Sequence, residues 1–165
     1  MNLTYAIGDI HGNIILLNKI MQSIEEHRKQ NDADATIVFL GDYIDRGPSS
    51  KKVCDFLMSP AKDRTKHIVL QGNHEEMCLV AHQQDEHMGW WVSNGGETTL
   101  KSFEGPCQKE YLDWMQSLPS FYKDDFRLYV HAGIVPNIPF EKQVEDHMRW
   151  IRWNETLETP NPDNL

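Results

Sequence analysis

Leu3-Thr4-Tyr5-Ala6-Ile7-Gly8-Asp9-Ile10-His11-Gly12-Asn13 begins as an apolar run and breaks into a polar loop bearing two glycines, and the residues behind it change period. Leu3–Ile10 reads as a strand. From Asn13 to Gln30, apolar residues fall at 14, 16, 17, 20, 21 and 24, the spacing of one face of an amphipathic helix. Thr36–Leu40 is then a short continuous apolar run, which predicts a second, buried strand. Strand, helix and strand in that order open a βαβ unit.

The same alternation continues outward. Pro48 and two serines open a helix running to about Met58, Pro60 ends it, and His67–Leu70 makes a third short strand leading into Gly72. Helices are expected over Glu75–Gln84 and Gln108–Leu118, a turn at Asn94-Gly95-Gly96, and a fourth strand over Arg127–Val130 that stops at Ala132-Gly133. From Trp150 to Leu165 the chain becomes a polar, proline-containing tail. No internal repeat interrupts this order, so the expected architecture is an α/β, sandwich-like domain with its loops at strand ends.

Composition bounds the function. At 165 residues, 39% hydrophobic and 25% charged, the chain has material for one folded domain and no second full one. The net charge of −9, with no dense Lys/Arg patch, argues against nucleic acid as a partner. No apolar run approaches the ~20 residues of a spanning helix, and the N-terminus lacks the pattern of a signal peptide, so no membrane partner and a soluble, cytoplasmic protein are expected. Cys54, Cys78 and Cys107 form no CxxC pair and fit reduced thiols.

The chemistry-bearing residues gather at four strand ends: Gly8–Asn13, Gly41-Asp42-Tyr43-Ile44-Asp45-Arg46-Gly47, Gly72-Asn73-His74-Glu75 and His131-Ala132-Gly133. Loops beyond the carboxyl ends of strands in an α/β sheet converge on one crevice, so these residues can meet. Asp9, His11, Asp42, Asn73 and His131 then make an oxygen and imidazole ligand set that suits Mn²⁺, Fe²⁺ or Zn²⁺. Two divalent ions with Asp42 between them would lie ~3.5–4 Å apart, as in two-metal hydrolases, and acidify a bridging water. The ions outweigh Asp9, Asp42 and a bridging hydroxide, which makes the site positive and the substrate an anion. Arg46 carries a planar fork matched to two phosphate oxygens. No Ser or Cys accompanies the cluster as a nucleophile, so direct in-line attack without a covalent intermediate is expected.

GDIHG, GDYIDRG, GNHE and HAG, in that order, resemble the signatures of the phosphoprotein phosphatase family of calcineurin-like metallophosphoesterases. The resemblance covers roughly residues 3–152 and is closest to the bacterial and phage branch of Ser/Thr/Tyr protein phosphatases and symmetrical diadenosine tetraphosphatases. It implies a calcineurin-like β-sandwich flanked by helices and two divalent ions, with manganese expected and iron or zinc as alternatives. Asp9 and His11 would hold the first ion, Asn73 and His131 the second, and Asp42 would bridge. His74 matches the general acid, Asp45 the carboxylate that orients it, and Arg46 a phosphate ligand. Trp150-Ile151-Arg152 resembles a segment whose arginine is a second phosphate ligand, which assigns Arg152, with Arg149 as the competitor. Trp91 with Asn94–Thr98 resembles a W-x-x-N-G-G-x-x-T segment beside the active-site groove, and its role stays open between core packing and substrate contact.

The family pattern continues to a GHT segment whose histidine also binds the second ion, and the sequence stops at Leu165 without it. The expectation is therefore a catalytic domain over 1–152, incomplete at its C-terminus and lacking its last strands, with a polar tail over 153–165. An uncovered sheet edge would invite an oligomer. The leading functional reading is hydrolysis of phosphate monoesters on a phosphorylated protein (Ser/Thr or Tyr) or a small phosphate ester. The alternatives are a symmetrical diadenosine tetraphosphate hydrolase and a weak or inactive phosphoryl-binding module.

Overall fold

A computed structural model of the chain describes residues 2–62 and 64–152, so the tail expected over 153–165 lies outside the described residues. β1 (Asn2–Ile7), β2 (Asp34–Phe39) and β3 (Thr65–Val69) form a parallel sheet in the order β1-β2-β3. In register, Ile7 faces Phe39 on one side of the central strand and Phe39 faces Val69 on the other. β2 is buried from Ala35 to Phe39, as a continuous apolar run in a sheet covered on both faces should be. α1 (Ile14–Gln30) and α2 (Ser50–Met58) make the crossovers. Asn13 caps α1 by accepting from the Leu16 amide at 3.1 Å, and His27, Arg28 and Lys29 sit in its last turn, where the helix dipole favours positive charge.

The expected boundaries shift for local reasons. β1 ends at Ile7, not Ile10, because the amides of Ile10 and His11 turn away to donate to the Asp42 carbonyl at 3.0 and 2.9 Å. α3 (Asn73–Gln83) starts two residues before Glu75, since the Glu75 carboxylate accepts from the Gly72 amide at 2.9 Å and closes the first turn. Asn94-Gly95-Gly96 makes the expected turn, though within an almost continuous helical path. It forms one wide turn between α4 (Met88–Trp91) and α5 (Glu97–Phe103), with Gly95 at φ +110°. α6 (Lys109–Ser117) leads to a two-stranded antiparallel ribbon, β4 (Phe121–Lys123) and β5 (Leu128–Val130), and α7 (Glu145–Trp150) follows.

Ile7, Leu17, Ile37, Phe39, Tyr43 and Val53 form a core between the sheet and α1 and α2. A second core of Ile44, Met77, Cys78, Trp91, Phe103 and Met115 binds α3 to α4, α5 and α6. Val38, Leu70 and Tyr129 join the ribbon to the sheet. Both large cores include residues of the loop after β2, so that loop is gripped from two sides. Among the described residues no helix is long and apolar enough to cross a membrane.

Candidate metal centre and phosphate clamp

The loops after β1, β2 and β3 leave the same edge of the sheet, and the segment after β5 meets them there. Asp42 lies at the middle. Its Oδ2 is 3.6 Å from Nε2 of His11, and its Oδ1 is 3.5 Å from Nε2 of His131. Asp9 reaches in from the β1 loop, 3.9 Å from His11, with one carboxylate oxygen also clustered with Asp42 and His131. Asn73, at the start of α3, puts Oδ1 3.2 Å from Nε2 of His131. The α3 N-terminus steadies Asp42, because the His74 amide donates to Oδ1 at 3.1 Å. Gly72 is needed there, since a Cβ would run into the Asp42 carboxylate and amide.

The donor set fits divalent ions. Nδ1 of His11 donates to the Ile44 carbonyl at 2.8 Å and Nδ1 of His131 to the Leu40 carbonyl at 3.0 Å, which leaves each Nε2 as a lone pair aimed inward. At His131 that lone pair faces the oxygens of Asn73 and Asp42, acceptors with no proton of their own to share. A cation satisfies such a cluster, and Asp42 presents one oxygen to each side.

Arg46 completes the constellation. Nη1 donates to Nε2 of His11 at 2.8 Å and Nη2 to Nε2 of His74 at 3.0 Å, so the guanidinium fork spans the two imidazoles. His74 is 2% exposed and donates from Nδ1 to Oδ2 of Asp45 at 2.7 Å. Burial of the ring pulls its pKa down, but the Asp45 hydrogen bond and the charges of Asp42 and Asp45 outweigh this and lift it above the ordinary histidine value. His11, Asp42, Asp45 and Arg46 all sit at positive φ, at 43°, 59°, 70° and 64°.

Glu75 escaped the sequence reading although GNHE contains it. It is fully buried, and its two oxygens accept from the amides of Asp42, Tyr43 and Gly72 at 2.8–2.9 Å, stapling the β2 loop to the start of α3. Burial and the neighbouring Asp42 charge push its pKa up to about 7, against those amide donors. Its signal was a charged residue at the third helical position beside a glycine-rich loop. Trp91 is fully buried, and its indole N–H donates to Asp45 at 2.9 Å, which gives the Trp91–Thr99 segment a partner in the site. The Gly95 carbonyl accepts from the Arg46 amide at 3.1 Å, and a Cβ added at this left-handed position would press on Arg46, so glycine is required.

Arg149 is committed elsewhere: its guanidinium, 9% exposed, binds Glu76, Asp146 and Ser120 in an ion-pair network. Arg152 is exposed at the end of the described residues. A second group of soft donors, Cys78, His82 and Cys107, lies together behind α3. Both His82 ring nitrogens are engaged there, Nδ1 with the Cys78 carbonyl at 2.8 Å and Nε2 with the Cys107 amide at 3.1 Å.

The chain is similar to several known proteins. The symmetrical bis(5'-nucleosyl)-tetraphosphatase of Janthinobacterium sp. (strain Marseille) is 32% identical over 156 residues, covering 91% of this chain and 53% of that protein. The protein of the same name from Marinomonas sp. (strain MWYL1) is 28% identical over 155 residues, covering 88% and 52%. The chain thus spans about half the length of the curated relatives it matches. Among solved structures, one assigned to the diadenosine tetraphosphatases without an established activity superposes with a TM-score of 0.62 at 20% identity, over 89% of this chain and 61% of that one. The cold-active protein-tyrosine phosphatase of a Shewanella species gives 0.55 at 22%, over 81% and 45%. These two show a shared fold. The model of the calcineurin-like phosphoesterases runs along residues 4–164, and the chain belongs to that family.

Proposed function

We propose that the chain hydrolyses a phosphoanhydride bond of a dinucleoside tetraphosphate, releasing two nucleoside diphosphates, with residues 1–152 as the catalytic unit. The geometry supports phosphoryl transfer: His11 and His131 flank the Asp42 carboxylate at 3.6 and 3.5 Å, and the Arg46 fork reaches His11 and the buried His74 beside it. The observation that carries the substrate class is the 32% identity over 91% of the chain to a symmetrical tetraphosphatase. This reverses the order of the sequence expectation, in which a phosphoprotein led. The curated relatives carry the tetraphosphatase name, and the likeness to a tyrosine phosphatase extends to fold alone.

Asp9, His11 and Asp42 would hold one divalent ion, and Asp42, Asn73 and His131 the other. Bound there, the ions supply Lewis acidity and neutralise charge on the phosphoryl oxygens. Arg46, an exposed side chain, exchanges the imidazoles of His11 and His74 for two phosphate oxygens and so fixes the reacting phosphorus, with Arg152 as a second contact. That exchange frees Nε2 of His74, which holds a proton for the leaving oxygen while Nδ1 stays bound to Asp45. Water adds its oxygen to one phosphorus and releases a proton to solvent, the P–O bond to the other half breaks, the proton from His74 goes to the departing oxygen, and His74 regains a proton from solvent. Manganese as the preferred ion rests on the oxygen and imidazole donors. A cytoplasmic location rests on three buried free cysteines.

Product analysis tests the proposal. The purified 165-residue chain with Mn²⁺ and diadenosine tetraphosphate should yield ADP alone, at a rate lost in Asp42→Asn. Release of inorganic phosphate from a phosphopeptide, with the dinucleotide untouched, would overturn it.

A further inference from the structure

We propose that Trp91 and Thr99 are positioning residues for the reaction, fixing the Asp45 carboxylate and through it the ring of His74. This rests on the reading of His74 as the proton donor. Asp45 lies in a loop without regular structure, fully buried, on left-handed backbone. Its orientation has to come from its neighbours. Oδ1 accepts from the Thr99 hydroxyl at 2.6 Å, and Oδ2 accepts from Nε1 of Trp91 at 2.9 Å beside Nδ1 of His74 at 2.7 Å. The Asp45 amide donates to the Thr99 oxygen at 2.8 Å, so one threonine holds both the backbone and the side chain of the same residue.

Thr99 has a single hydroxyl proton, and Asp45 takes it. The Ser50 hydroxyl, 3.0 Å away, must then donate to the Thr99 oxygen. With both carboxylate oxygens held by directed donors from α4 and α5, rotation about the last side-chain bond would break a bond at either end. The His74 ring, tied to Oδ2, inherits that orientation. The glycines between the two donors serve the same end. Gly96 lies flat under the Trp91 indole, and Gly95 binds the Arg46 amide, so a nine-residue segment holds Asp45 and Arg46 together. Trp91 is therefore both core packing and a contributor to the site.

The test uses the full chain carrying Thr99→Val, which keeps shape and removes the hydroxyl, Thr99→Ser, which restores it, and Trp91→Phe. The first readout is the downfield proton resonance of His74 Nδ1–H, identified by its loss in His74→Asn. It should shift or broaden in Thr99→Val and Trp91→Phe and return in Thr99→Ser. The second readout compares phenyl phosphate with p-nitrophenyl phosphate, whose better leaving group needs little protonation. General acid catalysis contributes ~10²–10⁴-fold, so a misaligned acid should cost ~10–100-fold on phenyl phosphate and only ~3-fold on p-nitrophenyl phosphate. An unmoved resonance, or equal losses on both substrates, would overturn the inference. His74→Asn separates the two claims: if it too slows both substrates equally, His74 is not the proton donor, and positioning is then judged by the resonance alone.

Discussion

Gly96→Ala should unfold the wall of the site, and its cost can be worked from the packing. Gly96 has ordinary helical backbone angles, φ −61° and ψ −20°, so alanine would be favoured there by up to ~1 kcal/mol on propensity alone. Its Cβ would lie 2.5–2.8 Å from three atoms of the Trp91 indole, against an ordinary carbon contact of ~3.5–4.0 Å. The buried ring has to retreat by about 1 Å. Overpacking of this kind costs ~1–3 kcal/mol, and the Trp91 to Asp45 bond, now stretched past hydrogen-bond range, costs a further ~1.5–3 kcal/mol. The net loss is about 3 kcal/mol, which for a chain of this size lowers Tm by ~10 °C. Gly89 is the control, because a Cβ there meets nothing within 4 Å and the residue sits inside α4. Gly89→Ala should raise Tm by ~2–4 °C. Thermal unfolding followed by circular dichroism and tryptophan fluorescence measures both. A Gly96→Ala protein that melts at or above wild type would show that the indole is free to move and that the close packing carries no energy.

Two further outcomes are expected. Mn²⁺ at ~100 times its Kd should stabilise the folded chain by ~2.7 kcal/mol, and Asp42→Asn, which alters the carboxylate facing both His11 and His131, should abolish most of that shift in the same melting assay. A full shift in the variant would remove Asp42 from the centre of the site. Arg149→Met should cost ~2–3 kcal/mol in urea unfolding, because it strips partners from Glu76, Asp146 and Ser120, and should leave KM for p-nitrophenyl phosphate unchanged. A raised KM at full stability would make Arg149 a phosphate ligand after all.

Residues that announced themselves in the sequence did so by standing at a change of pattern. Asp9, His11, Asp42, Asn73 and His131 follow apolar runs that stop at glycines; the parallel strands β1–β3 carry the first four to one edge, and the packing of Tyr129 on Val38 and Leu70 brings the end of β5 there. The residues that hold the site together left a fainter trace. Glu75 serves amides more than thirty positions away in the chain, a partnership that exists only once β2 and β3 lie side by side. Thr99 works at a still longer separation from Asp45, and Trp91 reads as core because it is core as well. β4 and α7 were passed over because each is short, three and six residues, and is held by tertiary packing more than by its own periodicity.

The left-handed backbone at His11, Asp42, Asp45 and Arg46 sets backbone energy against side-chain placement within single residues. Each non-glycine side chain there costs of order 1 kcal/mol in backbone energy, which glycine would return. Selection for a sturdier fold alone would therefore drift these positions toward glycine or asparagine. In a lineage released from the demands of the site, that drift would leave a legible record at these four positions.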